Sequence, residues 1–250
     1  MSTPPPVAPP PVALVTGGAR RLGAAIVRRL HAAGYAVAVH CRASTAQART
    51  LARELEQQRP GSCLVLEADL DRFDALPELV ARTIGRFGRL DALVNNAAAF
   101  FPTPAGTVTP AQWDALMATN LRAPFFLSQA AAPHLAAAGG AILNISDVYA
   151  RQPRADLAAY ATSKGALEAM TRALAVALAP DVRVNALAPG AILWPEDAAD
   201  PALQERILAR TALGRTGSVE EIADTALWLL RDAAYITGTV VAVDGGREPV

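Results

Sequence analysis

The sequence predicts an α/β fold: one domain built on a doubly wound parallel sheet of about seven strands, with helices on both faces. Two observations predict it. Short runs rich in Val, Ile and Leu alternate with longer helical stretches, and near-continuous apolar runs are typical of strands buried on both faces. Of the 250 residues, 52% are hydrophobic, which is enough for a large core, and no linker-like segment divides the chain.

Each predicted strand is a short apolar run, and the runs follow one another along the whole chain. We predict strands at Val12–Thr16, Ala36–His40, Cys63–Glu67, Asp91–Asn95, Ala141–Ser146, Val182–Ala186 and Val240–Val243. Between them we predict helices at Leu22–Ala33, Ser44–Gln58, Leu76–Arg86, a segment through Tyr160 and Lys164, and Val219–Leu230. In such sheets ligands bind beyond the carboxyl ends of the strands, so motifs at those ends are the candidate site.

Composition excludes several classes of partner. Basic and acidic side chains balance at 23 and 23, which predicts neither nucleic acid nor a membrane surface as a partner. No uninterrupted apolar stretch is long enough to cross a bilayer. Cys41 and Cys63 form no CxxC motif, which fits a reducing, cytoplasmic compartment, and we assign no metal site.

The amino-terminal segment differs from the rest of the chain. Residues 1–11 are rich in proline and lack the basic and apolar regions of a secretory signal. We therefore predict a disordered tail at 1–11, followed by a cofactor-binding domain at 12–250.

The first strand runs into a glycine-rich turn, Thr16-Gly17-Gly18-Ala19-Arg20-Arg21-Leu22-Gly23, that opens a helix. Glycine lets backbone N–H groups approach a pyrophosphate at a helix amino terminus, so the turn predicts dinucleotide binding through Gly17, Arg20, Arg21 and Leu22. A tight strand-to-helix connection without a ligand is the alternative. Arg21 stands where a middle glycine is expected; with Arg20 it would clamp an anion or reach toward a substrate.

The end of the second strand selects between the two nicotinamide cofactors. An acid there would bind the ribose 2′-hydroxyl of NAD, but no acid follows until Glu54. His40, Arg42 and Ser44 suit a 2′-phosphate instead, because arginine binds phosphate as a planar fork. We therefore predict NADPH. His40 taken alone is equally explained as a hydrogen-bonded core histidine.

Lys164 is the one lysine of the chain, and it lies four residues after Tyr160. On a helix this spacing puts both side chains on one face. An ammonium fixed beside a phenol favours the phenolate, so we expect Lys164 to lower the pKa of Tyr160 and make it a usable acid. An ordinary surface lysine near a tyrosine is the alternative.

These motifs together resemble the short-chain dehydrogenase/reductase family, from about Val12 to Gly246. The marks that carry the resemblance are Thr16-Gly17 with Gly23, Asp69-Leu70, Asn95-Asn96-Ala97, Asn120, Tyr160 with Lys164, Pro189-Gly190 and Asp244-Gly245-Gly246. The resemblance implies a Rossmann-like fold and a homotetramer. It places Asp69 at the adenine, Asn96 and Ala97 beside the ribose, and Asn120 in a proton relay behind Lys164. It also implies cofactor contacts from Leu70, Tyr160, Lys164, Pro189, Gly190 and Ile192.

Within this family the chain is most similar to pteridine reductases, and three residues carry the likeness. Arg21 replaces a glycine of the turn, Phe100 follows Asn95-Asn96-Ala97-Ala98-Ala99, and Asp147 stands 13 residues before Tyr160, where most members have serine. The resemblance implies that Phe100 stacks on a pterin and that Arg21, Asp147 and Tyr160 contact it. Ala98 and Ala99 depart from the branch, which has hydroxyl residues there.

Asp147 also favours one chemistry over another. An ionised carboxylate accepts hydrogen bonds and donates none, so it cannot polarise a ketone oxygen as serine does. Pterins offer N–H donors and C=N bonds, so we predict hydride transfer to a dihydropterin with protonation by Tyr160, assisted by Lys164 and Asp147. Two alternatives remain for the function: a carbonyl reductase of the same family, and an NADPH-binding regulator without catalysis. For Asp147 itself, the alternative is a residue that caps or turns the chain after the strand.

The segment Ala191-Ile192-Leu193-Trp194-Pro195-Glu196 is expected to close over the substrate, with Trp194 among the substrate-binding residues. A simple packing role for Trp194 is the alternative. Which pterin is accepted, and whether dihydrofolate is included, does not follow from the sequence.

Overall fold

The parallel sheet lies at the centre of the fold. The computed structural model describes residues 9–194 and 201–247, and within them seven strands pair in parallel in the order β3-β2-β1-β4-β5-β6-β7. The strands are β1 Val12–Val15, β2 Ala36–Cys41, β3 Cys63–Glu67, β4 Ala92–Asn95, β5 Ala141–Ile145, β6 Arg183–Pro189 and β7 Val240–Val243.

Eight α-helices in the described part of the chain accompany the sheet. They are α1 Arg21–Ala32, α2 Thr45–Gln58, α3 Ala75–Phe87, α4 Pro110–Met117, α5 Ala123–Ala138, α6 Ala158–Ala177, α7 Pro201–Ala209 and α8 Val219–Arg231. A π-helical turn at Ala118–Arg122 joins α4 to α5, and a 3₁₀ turn at Val148–Ala150 follows β5.

Two hydrophobic cores hold the helices to the sheet, one on each face. Leucines of α1, α2 and α8 pack with alternate residues of the central strands on one face, and leucines of α3, α5 and α6 do so on the other. All four residues of β1 are buried, because both faces of this strand are covered. The central strands are thereby rigid supports for whatever follows their carboxyl ends.

The strand order reverses at β1. Its neighbours are β2 on one side and β4 on the other, and the chain turns away from each strand end in a different direction. A crevice opens at such a reversal, beyond the carboxyl ends of the strands. The glycine-rich turn after β1 and the segment after β4 therefore face each other.

Each predicted strand is present. β3 and β7 have the predicted bounds, and the largest difference is in β6, which extends to Pro189 instead of ending at Ala186. The sequence pattern does not predict α4, α5 or α7. The apolar residues of α5 lie on all sides of the helix, so no 3.6-residue period marks it, and the helix continues through Pro133.

The last residue of the predicted tail, Pro11, is bonded to the sheet. Pro11 is half-buried, and its carbonyl accepts a hydrogen bond from the Ala36 amide at 2.8 Å. Residues 1–8 of the predicted tail lie outside the described residues. None of the described helices is both long and apolar enough to span a bilayer.

Candidate active site

A cleft of about 380 Å³ lies beyond the carboxyl ends of β1, β2 and β4. We call it the switch-point cleft. It is lined by Gly17, Ala19, Arg20, Arg21, His40, Cys41, Arg42, Ala43, Ser44, Asp69, Leu70, Asn96, Ala97, Ala98, Ala99 and Thr119. Three of these residues are arginines and one is an aspartate, so the cleft is positively charged. Most residues predicted to bind a cofactor are thus brought together.

The turn after β1 depends on glycine at two positions. Gly17 has φ +61°, and a Cβ on Gly23 would lie 2.2 Å from the Gly17 carbonyl oxygen. Gly23 therefore allows the first turn of α1 to pass close under Gly17. Arg21 has φ +50°, in the left-handed region that costs most residues about 1 kcal/mol. Its guanidinium donates a hydrogen bond to the Trp194 carbonyl at 3.3 Å, which ties the turn to the segment after β6.

Two polar side chains tie the β1 turn to the end of β4. The Thr16 hydroxyl accepts hydrogen bonds from the amides of Asn96 (2.9 Å) and Ala97 (3.0 Å). The Asn96 side-chain amide donates to the carbonyls of Thr16 (2.9 Å) and Gly17 (3.1 Å). Asn96, predicted beside a ribose, thus also shapes the turn. This role of Thr16 could not be inferred from sequence, because its partners come from a strand about eighty residues away.

His40 has the contacts of the alternative left open for it, a hydrogen-bonded core histidine. It lines the switch-point cleft, but it is 2% exposed and both ring nitrogens have backbone partners. Nδ1 accepts from the Gly17 amide at 3.2 Å, which leaves Nε2–H to donate to the Ala68 carbonyl at 3.1 Å. Burial lowers the pKa of His40. A neutral imidazole held in this way supports the turn, and its contact with a 2′-phosphate stays a prediction.

Arg42 and Ser44 are the other two residues predicted to bind a 2′-phosphate at the end of β2, and this role stays a prediction. Arg42 is exposed and lines the cleft, and α2 begins directly after Ser44. Across the cleft, Asp69 is half-buried and its carboxylate accepts from the Asp71 amide at 3.1 Å, while Leu70 is buried.

A second group of side chains lies at the carboxyl end of β5, and we call it the tyrosine cluster: Asp147, Tyr160, Lys164 and Asn120. The Tyr160 hydroxyl donates to Asp147 Oδ2 at 2.8 Å, and the Tyr149 amide donates to Oδ1 at 2.9 Å. Lys164 Nζ donates to the Ile145 carbonyl at 2.8 Å and lies 5.9 Å from the centre of the Tyr160 ring. The predicted catalytic residues therefore do meet.

The charge relations within the tyrosine cluster differ from the sequence expectation. Burial, together with the charge and hydrogen bond of Asp147, raises the pKa of Tyr160 instead of lowering it. Lys164 bonds to the Ile145 carbonyl and lies over the tyrosine ring, so it does not pair with the hydroxyl. Burial lowers the pKa of Lys164 to about 8, and burial also raises the pKa of Asp147.

Asn120 is buried in the π-helical turn, where it braces the other residues. Its side chain accepts from the Ala99 amide (2.8 Å) and donates to the Ala99 carbonyl (3.0 Å) and the Ser163 hydroxyl (3.0 Å). It therefore links the segment after β4 to the residue next to Lys164. The predicted proton relay through Asn120 stays a prediction.

Two aromatic residues border the cluster. Phe100 is 49% exposed and stands edge-on to Tyr160, with ring centres 4.8 Å apart. Trp194 is half-buried at the end of the described segment after β6. Pro195 and Glu196 of the predicted lid lie outside the described residues.

Six predicted cofactor contacts do not line the switch-point cleft. Tyr160 and Lys164 belong to the tyrosine cluster, and Leu22 packs against the first core. Pro189 ends β6, Gly190 packs so closely on Asp244 that a Cβ would lie 2.6 Å from its Cα, and Ile192 packs against the first core. They stay predictions.

Sequence reasoning also missed residues that support the cluster. Buried Glu168 accepts from the Ser146 hydroxyl (3.2 Å) and pairs with Arg151 (3.1 Å), which holds the chain on both sides of Asp147. The spacing of Lys164 and Glu168 on one helix face was the available signal.

Comparison with known proteins extends over nearly the whole chain. A family model described as enoyl-(acyl carrier protein) reductase matches residues 17–248. Pteridine reductase 1 of Leishmania tarentolae is 36% identical, covering 94% of this chain and 96% of that protein. L-fucose dehydrogenase of Bos taurus is 39% identical (95% and 89%), and L-xylulose reductase of Bos taurus is 38% identical (94% and 95%).

Two solved structures share the fold closely. A blue fluorescent protein from a metagenomic library, in complex with NADPH, superposes with a TM-score of 0.88 at 38% identity, covering 94% of this chain and 97% of that one. A double mutant of a Serratia marcescens short-chain dehydrogenase/reductase gives 0.88 at 36% identity, with the same coverage.

Proposed function

The chain belongs to the short-chain dehydrogenase/reductase family, and from this premise we propose that it reduces dihydropterins with NADPH. Family membership makes it an NAD(P)-dependent oxidoreductase. The relatives are named for pterin, sugar and other substrates, so the choice among substrates depends on the residues of the tyrosine cluster.

The switch-point cleft fits NADPH. Glycines 17 and 23 leave the backbone accessible at the amino end of α1, as a pyrophosphate requires. Exposed Arg42 and the neighbouring Ser44 follow β2, where a selective acid for NAD would stand. The similar metagenomic protein holds NADPH. When bound, NADPH supplies the hydride.

The observation that carries the pterin assignment is the contact between Asp147 and the Tyr160 hydroxyl at 2.8 Å, beside half-exposed Phe100. A carboxylate here can accept hydrogen bonds from pterin N–H groups. An aromatic ring at the rim of the site suits stacking on a flat heterocycle. A simple ketone offers no N–H group to this carboxylate.

Tyr160 is the proton donor in this proposal. The raised pKa keeps the proton on the phenol at neutral pH but makes Tyr160 a weak acid. Tyr160 gives this proton to the ring nitrogen next to the reduced carbon as hydride transfer makes that nitrogen strongly basic. The C=N bond then gains a hydride on carbon and a proton on nitrogen, and the nicotinamide is oxidised. Asp147 orients the Tyr160 hydroxyl, and Lys164 supplies positive charge 5.9 Å from the centre of the Tyr160 ring.

A carbonyl reductase is the second candidate. The Tyr160 hydroxyl would protonate a carbonyl oxygen as well as a ring nitrogen, and relatives at 38–39% identity are named for sugar substrates. A non-catalytic NADPH-binding regulator is less well supported, since a pure binder needs no assembled tyrosine cluster.

The deciding experiment replaces Asp147 by serine. We expect the wild-type protein to oxidise NADPH with dihydrobiopterin and dihydromonapterin, and Asp147→Ser to lose about 100-fold in kcat on both. Turnover of a ketone panel should not fall. Asp181→Ser is the control, because Asp181 is exposed at the amino end of β6, on the opposite edge of the sheet. Full pterin turnover by Asp147→Ser, or turnover of ketones alone by the wild type, would contradict the proposal.

Self-assembly and location belong to the same proposal. The predicted homotetramer is supported by large apolar side chains left exposed on the single chain, including Phe73, Trp113 and Phe125. A cytoplasmic location stays a prediction.

A further inference from the structure

A second cavity, of about 700 Å³, lies between the loop that follows β5 and helix α7. We call it the arginine cavity. It is lined by Gln152, Pro153, Arg154, Ala155, Asp156, Leu203, Arg206, Ile207, Ala209, Arg210 and Arg247. Four of these are arginines, and among the described lining residues the acid is Asp156. The wall therefore carries a net positive charge on a protein that is neutral as a whole.

The arginine cavity adjoins the tyrosine cluster through one residue, Tyr149. Its amide donates to Asp147 at 2.9 Å, and its ring faces two cavity arginines. The guanidinium carbon of Arg247 is 5.0 Å from the ring centre, and that of Arg154 is 5.7 Å away. Tyr149 therefore lies between Asp147 and two of the cavity arginines.

Helix electrostatics explain part of this arrangement. Arg206 and Arg210 lie four residues apart at the carboxyl end of α7, where the helix dipole favours cations. Repulsion between these two like charges opposes their placement on neighbouring turns. The dipole does not explain why Arg247 and Arg154 face the same space from other parts of the chain. Arg154 is paired with Asp156 through two hydrogen bonds (2.9 and 2.6 Å), which offsets its charge.

We propose that the arginine cavity binds a carboxylate-bearing tail of the substrate while the pterin ring lies between Phe100 and Asp147. Guanidinium groups match carboxylates as planar forks, and several guanidinium groups around one cavity suit a tail with two carboxylates. The inference rests on the proposed function, and it names the substrate class: pterins with an anionic side chain, such as dihydrofolate, in preference to pterins with a neutral one.

The kinetic test compares two substrates in two variants. Arg206→Gln removes an exposed cavity charge that touches no residue of the tyrosine cluster. We expect KM for dihydrofolate to rise about tenfold with kcat unchanged, and both constants for dihydrobiopterin to stay within about twofold. Arg82→Gln is the matched control, since Arg82 is an exposed helix arginine near Glu78 on α3. Equal loss on both substrates, or no change on dihydrofolate, would overturn the inference.

A binding test separates this inference from the proposed function. Calorimetry would measure binding of para-aminobenzoyl-glutamate, which carries two carboxylates but no pterin, to the NADPH-loaded protein. We expect binding that Arg206→Gln weakens about tenfold and Arg82→Gln leaves unchanged. A protein that binds this fragment but reduces no pterin refutes the proposed function and retains the anion site. A protein that reduces dihydropterins but does not bind the fragment refutes the anion site alone.

Discussion

The switch-point cleft and the tyrosine cluster lie at the same edge of the sheet, but they are built differently. In the cleft, the shape is set by backbone: two glycines permit the turn, and Thr16, Asn96 and His40 bond to main-chain groups around it. In the cluster, two ionisable side chains bond directly, Tyr160 to Asp147, while Lys164 is held by a main-chain carbonyl. Burial there shifts the pKa of each ionisable group.

This difference separates a general function from a specific one. A site shaped by backbone tolerates many side chains and fits a cofactor shared by many enzymes. A site made of buried ionisable side chains changes its chemistry when one of them changes, since the neighbours' pKa values depend on it. The three predictions that follow test each half of this contrast, from the largest expected effect to the smallest.

The largest effect is expected at Lys164, where burial of charge should be measurable as stability. Its pKa is about 8 when folded, against an ordinary value of 10.5, so between these pH values the unfolded chain binds more protons than the folded one. Stability should therefore rise with pH in this window. Between about pH 7 and pH 10 the wild type should gain about 2–3 kcal/mol relative to Lys164→Met, measured by urea unfolding.

The Lys164→Met variant is the reference for the wild-type protein, because every other titrating group is common to both proteins. Parallel stability curves for the two proteins across this pH range would contradict the prediction. They would show that the tyrosine cluster holds Lys164 without a desolvation cost.

The second prediction concerns Gly23 and tests whether the backbone sets the shape of the switch-point cleft. A methyl group there would overlap the Gly17 carbonyl and lie 2.7 Å from the Asn96 side-chain nitrogen, so the turn must move. We expect Gly23→Ala to cost about 1–3 kcal/mol in unfolding free energy and to weaken NADPH binding, measured by fluorescence titration.

Gly85→Ala is the matched control, since Gly85 is a helix residue of α3 whose added Cβ would meet nothing within 4 Å. It should be neutral or stabilising by about 0.5–1 kcal/mol. If both variants bound NADPH as tightly as the wild type, the backbone of the turn would not set the affinity.

The smallest effect concerns the one part of the cleft that depends on a side-chain charge. Arg42→Gln should raise KM for NADPH about tenfold and leave KM for NADH unchanged, because a fork to a 2′-phosphate would be lost. Arg53→Gln on α2 is the control, since Arg53 is exposed and bonds within its own helix. Equal effects of Arg42→Gln on both cofactors would locate the 2′-phosphate elsewhere.

Local pattern was sufficient where a feature depends on neighbours in sequence. Strands such as Cys63–Glu67 are apolar runs, and the turn from Gly17 to Gly23 is a continuous motif, so both could be predicted. Helix α5 could not, because a helix that is apolar on all sides has no period.

Electrostatic behaviour was the least predictable part of the site. The spacing of Tyr160 and Lys164 indicates one helix face, and this is how they lie, but it does not reveal that the lysine bonds to the Ile145 carbonyl. Nor does the sequence reveal that Asp147 accepts a hydrogen bond from the Tyr160 hydroxyl. The direction of the pKa shift at Tyr160 follows from these contacts and from burial.

The sequence by itself determined the sheet, the dinucleotide-binding turn, the family and the identity of the residues that meet at the site. Tertiary structure decided that His40 is a neutral support, that the pKa of Tyr160 is raised, and that four arginines from three parts of the chain face one cavity. The physical reason is the separation along the chain over which each effect acts. Periodicity and turn geometry act between near neighbours, whereas burial and charge depend on segments that become adjacent only when the sheet has formed.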